Sequence, residues 1–189
     1  EEAVRAAAST VLGRDVPTVL GHDGGALALA ESWLGATQGA GASLSIVVST
    51  GVGGGFVANG AYIPGATGNA GHLGQVRRHG GLPLEEIASG PASAAWAQQQ
   101  GWTGATGEDL ARDSAAGDTI ARAAIERSAR EVGEALADAA TLVDLDVVAI
   151  GGGFSRVSAD YIDLVQQVFF ASAAHEYSRR TRVVRSGLG

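Results

Sequence analysis

Residues 118–143 carry the clearest hydrophobic rhythm in the chain. Ala121, Ile125, Ser128/Ala129, Val132, Leu136, Ala139/Ala140 and Val143 recur at three- to four-residue spacing, which lays one apolar stripe along a helix. Arg122, Glu126, Arg127, Arg130, Glu131 and Glu134 decorate the rest. The stripe leads through Asp144 and Asp146 into Val147-Val148-Ala149-Ile150, an unbroken apolar run of buried-strand type, and then into Gly151-Gly152-Gly153. The same reading predicts helices over 2–13, 24–35, 84–100, 107–116 and 159–174, and strands over 16–20, 43–50, 54–58 and 181–185. Asn59-Gly60, set between Phe56-Val57-Ala58 and Ala61-Tyr62-Ile63, is a type I′ hairpin signal. Strands and helices alternate late, and a glycine-punctuated β meander lies early. That order suits an α/β domain with a mixed sheet and flanking helices better than a barrel or sandwich.

Composition narrows the chemistry. The 189 residues suffice for one domain with a real core, and no linker or repeat divides them. No apolar run approaches the roughly 18–20 residues that cross a bilayer, and the opening Glu1-Glu2-Ala3-Val4-Arg5 does not read as a signal peptide. The expectation is a cytoplasmic protein without a membrane partner. Cysteine is absent, which excludes disulfides and thiolate metal sites. The net charge of −7 argues against a nucleic-acid surface on this segment. All 13 basic residues are arginine, so neither a P-loop lysine nor a Schiff-base lysine is available. A nucleotide would have to be held by backbone amides, arginine or a metal.

The 29 glycines cluster at 51–55, 65–74, 80–81 and 151–153. In Ser49-Thr50-Gly51-Val52-Gly53-Gly54-Gly55, between two apolar strands, they let backbone N–H groups approach an anion. A flexible hairpin turn explains this motif alone as well. Gly151–Gly153 follow a strand end, where ligands of α/β sheets bind, though a strand-to-helix turn needs nothing more. Asp23, beside Gly24-Gly25 before an alanine-rich helix, can accept a proton from a substrate hydroxyl or cap that helix. His72 and Gln75 bring polar groups to a glycine-lined turn, and Glu85-Glu86 open a helix. None of these signals is specific in isolation.

Their order is specific. Val19-Leu20-Gly21-His22-Asp23 with Ala28-Leu29-Ala30-Glu31, then Ser49–Gly55, Asn59-Gly60, Gly65–Gly74, Glu85–Gly90 and Val148-Ala149-Ile150-Gly151-Gly152-Gly153 together resemble the ROK (repressor, open reading frame, kinase) family over nearly the whole chain. The resemblance implies an actin-like, ribonuclease-H-like ATPase fold whose two lobes clasp sugar and ATP, with Mg2+ accompanying the nucleotide. It implies Asp23 as the general base and His22, Asp23, His72, Gln75 and Glu85 as sugar contacts. Thr50, Gly51, Gly53 and Gly54 resemble a phosphate-binding turn, and Gly151, Gly152 and Gly153 the adenosine-side turn. A homodimer is implied by likeness alone.

Departures shape the remaining expectations. His22 stands where the family usually has Asn, and Gln75 where it usually has His. The family's cysteine-rich zinc loop is replaced by Arg77-Arg78-His79-Gly80-Gly81-Leu82-Pro83-Leu84, so no structural zinc and no other metal site is expected. The likeness begins partway along the family's chain. Residues 1–189 are therefore expected to be a C-terminal lobe without the Asp-x-Gly-Gly-Thr phosphate loop, inactive in isolation because an open half-site cannot exclude water. Two activities compete: ATP-dependent phosphorylation of a hexose or N-acetylated amino sugar, or sugar sensing within a ROK transcriptional regulator.

Overall fold

A computed structural model of the chain describes residues 2–18 and 21–188. Five strands form one mixed sheet: β1 (Ala42–Val48), β2 (Val52–Ala58), β3 (Ala61–Tyr62), β4 (Val147–Gly151) and β5 (Arg182–Arg185), in the order β3-β2-β1-β4-β5. The β3-β2-β1 side is an antiparallel meander, whereas β4 lies parallel to β1 and β5 parallel to β4. The meander turns through Asn59 and Gly60, with φ of 50° and 76°, the left-handed pair that a type I′ turn requires.

The periodic stripe forms α6 (Thr119–Val143), N-capped by Asp118, whose carboxylate accepts the N–H groups of Ile120 and Ala121. Its Ile125, Val132 and Leu136 are fully buried and share a core with Leu44, Ile46 and Val48 of β1 and Val148 and Ile150 of β4. Around α6 pack α3 (Glu85–Ala88), α4 (Gly90–Gln99), α5 (Gly107–Ala115), α7 (Tyr161–Ser172) and α8 (Glu176–Arg179). Helix α1 (Glu2–Leu12) buries none of its residues.

Helix α2 (Asp23–Leu34) lies against β1, β2 and β3. Glycine permits this approach, because a Cβ on Gly24 would fall 2.5 Å from the Gly54 carbonyl oxygen. At its far end Glu31 is wholly buried. Its carboxylate accepts the N–H groups of Ala36 at 2.7 Å and of Gly187 and Leu188 at 3.2 Å each, together with the Ser186 hydroxyl. The helix bearing Asp23 is thereby tied to the segment that follows β5.

Two predicted elements need correction. Residues 16–18 of the strand expected over 16–20 have no regular structure, and Val19 and Leu20 lie outside the described residues. Pro17 accounts for part of the difference, since it has no N–H to give a ladder. The helix expected over 84–100 is two helices broken at Ser89, which adopts ψ of 159° and accepts the Ala92 N–H as the N-cap of α4. Pro91 in the first turn of α4 favours that break, because it cannot donate a continuing helical hydrogen bond.

Candidate active site

The carboxyl ends of β1 and β4 point to the same edge of the sheet, as parallel strands must. Two adjoining cavities open there, of about 540 Å³ and about 330 Å³, and Ser49 and Thr50, in the turn from β1 to β2, line both.

The larger cavity gathers residues far apart in sequence: His22, Asp23, Thr50, Gly51, Gly53, His72, Gln75 and Glu85. Asp23 is the first residue of α2 and its side chain is fully exposed. Among the described residues its Oδ1 accepts only the neighbouring Gly24 N–H, at 2.8 Å. That short bond is not an N-cap, which would reach the second or third N–H of the helix. The cap position belongs to His22. Oδ2 has no partner among the described residues and faces the cavity's solvent.

His22 and His72 stack, with ring centroids 4.3 Å apart and planes inclined by 25°. His22 Nε2 lies 3.7 Å from Asp23 Oδ1, and its buried Nδ1 has no partner among the described residues. Nδ1 of His72 is 2.9 Å from the Asn69 carbonyl oxygen. The turn that carries His72 and Gln75 sits directly on β2, because Gly74 lets its backbone meet that of Val52; a Cβ there would lie 2.0 Å from the Val52 carbonyl oxygen.

Glu85 turns one carboxylate oxygen to the backbone rather than to open solvent. Its Oε2 accepts the Val52 N–H at 2.8 Å, bracing the turn that carries Thr50 and Gly51. The carbonyl of Ser49 accepts the Gly90 N–H at 2.8 Å, so α4 braces the same turn from its other side.

The smaller cavity is lined by Thr50, Gly90, Thr106, Gly153, Phe154 and Arg156, among others. Thr106 and Asp109 form a capping box at the start of α5. The Ala105 N–H, and then the Arg112 guanidinium, hold the Asp109 carboxyl down at about 2. Of the expected nucleotide-side glycines, Gly153 lines this cavity, while Gly151, Gly152 and Gly54 line neither. Gly152 packs on the Val48 carbonyl, Gly151 against Ser186, and Gly54 between β1 and α2. Thr106, Phe154 and Arg156 escaped the sequence reading because they lie outside the glycine clusters; the Thr106-x-x-Asp109 spacing was the one visible signal.

ATP would have to fit residues with no lysine among them. A Cβ on Gly53 would meet nothing within 4 Å and one on Gly153 only the Ser49 hydroxyl at 3.6 Å, so backbone at both positions is open to a ligand. Among the described residues no three His, Asp or Glu side chains of either cavity bring their ligand atoms within 4.8 Å of one another. Mg2+ would be held mainly by the nucleotide's phosphates, its usual arrangement.

Comparison with known proteins places this geometry. The ROK family model matches residues 13–188, and the chain belongs to that family. A glucokinase of Halalkalibacterium halodurans is 32% identical over 183 residues, covering 84% of this chain and 55% of the relative. An N-acetylmannosamine kinase of Yersinia pestis is 36% identical over 165 residues, covering 80% and 54%. The chain thus spans about half the length of these curated relatives. Among solved structures, a ROK hexokinase from Thermus thermophilus superposes with a TM-score of 0.85 at 32% identity, covering 98% of this chain and 64% of that one. A ROK glucokinase from Streptomyces griseus, in complex with glucose and AMPPNP, gives 0.84 at 25% identity, covering 98% and 67%. A ROK transcriptional regulator homologous to the E. coli MLC protein gives 0.82 at 26% identity, covering 99% and 52%. The actin-like fold expected from the sequence is therefore the fold of the chain. No helix among the described residues is long and apolar enough to cross a membrane.

Proposed function

We propose that the protein phosphorylates a hydroxyl of a hexose or N-acetylated amino sugar at the expense of ATP, with Asp23 as general base. One observation carries the reading: an uncapped carboxylate opens into the same cavity as the Thr50–Gly53 turn. The sugar hydroxyl gives its proton to Asp23 as its oxygen bonds the γ-phosphorus. The bond from that phosphorus to the bridging oxygen breaks, leaving ADP. ATP supplies the phosphoryl group, and backbone at Thr50, Gly51 and Gly53 would hold its phosphates, with Gly153 on the nucleoside side. Such transfer depends mostly on positioning and charge stabilisation. His22, His72, Gln75 and Glu85 would orient the sugar. The named activities of the glucokinase and N-acetylmannosamine kinase relatives support this substrate class.

A fold spanning about half its relatives leaves room for a second lobe to close the cleft, so we place residues 1–189 in the role of the C-terminal lobe. The test is ADP release by the full natural protein across hexoses and N-acetylated amino sugars. The regulator neighbour supports a second reading, a sugar-sensing domain. Sugar binding without any turnover across that panel would favour it over the kinase.

A further inference from the structure

Outside the cleft, His79 and two acidic residues of α6 form a cluster that the proposed reaction does not use. His79 Nδ1 lies 3.3 Å from Glu134 Oε2 and 3.8 Å from Glu131 Oε2, and all three donor atoms lie within 4.8 Å of one another. Donors of a tetrahedral Zn2+, each about 2.0–2.2 Å from the metal, stand roughly 3.3–3.5 Å apart. The histidine–glutamate distances approach the edges of such a polyhedron. Glu131 and Glu134, one helical turn apart, present their carboxylates on one face of α6.

An independent observation points to a missing ligand. The Glu131 side chain is 7% exposed, and its Oε2 is buried without a hydrogen-bond partner among the described residues. Buried carboxylate oxygens are rarely left so. Arg78 does not complete it: Nε stays 3.6 Å away, itself without a hydrogen-bond partner among the described residues, while its other nitrogens bond Glu134 at 3.0 Å and Asp138 at 2.6 Å. Arg127, one turn back on α6, gives its Nη1 bond to the Ile87 carbonyl at 3.0 Å. Three carboxylates therefore share the contact of one guanidinium. A divalent cation on His79, Glu131 and Glu134 balances the charge, leaving Arg78 paired with Asp138. The adjoining cavity, lined by Arg77, Arg78, His79, Glu134, Asp138 and Ser172, gives a water access to a fourth position.

The geometry points to a divalent transition-metal site, of the Zn2+ class, formed by His79, Glu131 and Glu134. A nitrogen and two carboxylate oxygens suit Zn2+ better than Mg2+ or Ca2+, which prefer all-oxygen shells. The sequence alone gave no sign of a metal here, since cysteine is absent and His79 is 52 and 55 positions from the two glutamates. The site staples the 3-10 turn His79–Gly81 to α6. That turn lies between Gln75 and Glu85, so metal binding would stiffen one wall of the larger cavity. The inference stands whether or not the kinase reading does.

Equilibrium dialysis of the chelator-stripped full natural protein against Zn2+, with thermal melts and X-ray absorption, tests it. The expected result is one Zn2+ per chain bound through one imidazole and oxygen donors, and a melting temperature that rises with Zn2+. His79 is three-quarters exposed, so His79→Ala should fold as before yet bind Zn2+ at least about tenfold more weakly. Glu134→Gln should weaken it similarly. No zinc uptake by the wild type, or uptake unchanged by His79→Ala, overturns the site and leaves an ion-pair network only.

Discussion

The same oxygen of Glu85 that accepts the Val52 N–H at 2.8 Å stands 2.5 Å from the place a Cβ on Gly51 would occupy. Gly51 and Glu85 are 34 positions apart, yet each leaves room only for the other. The glutamate holds the backbone of the turn in place, and the missing side chain leaves room for the carboxylate that does so. Gly51→Ala should therefore displace the Glu85 carboxylate and lower kcat/KM by about 10- to 100-fold, the scale expected for small misplacement of a catalytic turn. Steady-state kinetics with ATP and sugar varied separately would check it. Unchanged constants would remove the turn from the catalytic apparatus.

Glu31→Ala should destabilise the protein by about 3 kcal/mol, since it removes the buried acceptor of several hydrogen bonds and orphans their donors. Denaturant unfolding measures the total. Amide exchange should locate the loosening at Ala36, Gly187 and Leu188, whose N–H groups bond that carboxylate.

The pair Arg122–Asp160 joins the first turn of α6 to the N-cap of α7, through bonds of 3.0 and 2.8 Å. Arg122 holds the Asp160 carboxyl down at about 2, against an ordinary 3.8. A lowered carboxyl pKa contributes stability that is fully present above pH 3.8 and is lost as pH falls through 2. Both side chains are partly exposed, so Asp160→Asn should cost only about 0.5–1 kcal/mol at neutral pH. Melts of the two proteins from pH 7 to pH 2 should converge at the acid end. A constant gap would mean that the residue acts through something other than its charge.

Tyr161 and Ser128 join in the core at 2.8 Å, and Ser128 also donates to the Ala88 carbonyl at 2.7 Å, the last residue of α3. Burial pushes the Tyr161 hydroxyl well above its ordinary value, so it stays neutral throughout the working range. Ser128→Ala leaves two buried oxygens short of a partner and should destabilise by about 1–3 kcal/mol. Chemical denaturation at neutral pH measures the loss.

Much of this was legible because local patterns and long-range order agreed. The α6 stripe, the Asn59-Gly60 turn and the apolar β4 run each carry their own local physics, and the structure has all of them. The grouping of His22, Asp23, Thr50, Gly51, Gly53, His72, Gln75 and Glu85 came through the family resemblance, not from spacing. What escaped were contacts that only the fold creates. The His22–His72 stack needs two turns brought together over β2. The smaller cavity needs Thr106 beside Gly153. The close packing of Gly54, Gly151 and Gly152, whose missing side chains admit neighbouring strands and loops, is another such contact.

The central claim rests on Asp23, and sugar-dependent ADP release by the full natural protein and its Asp23→Asn variant tests it most directly. The substitution keeps the size of an exposed side chain, so fold and sugar binding should persist. The account expects a fall in kcat of at least about 10²-fold, the scale of a lost general base, with sugar affinity little changed. An Asp23→Asn protein that turns over sugar at the wild-type rate would contradict it.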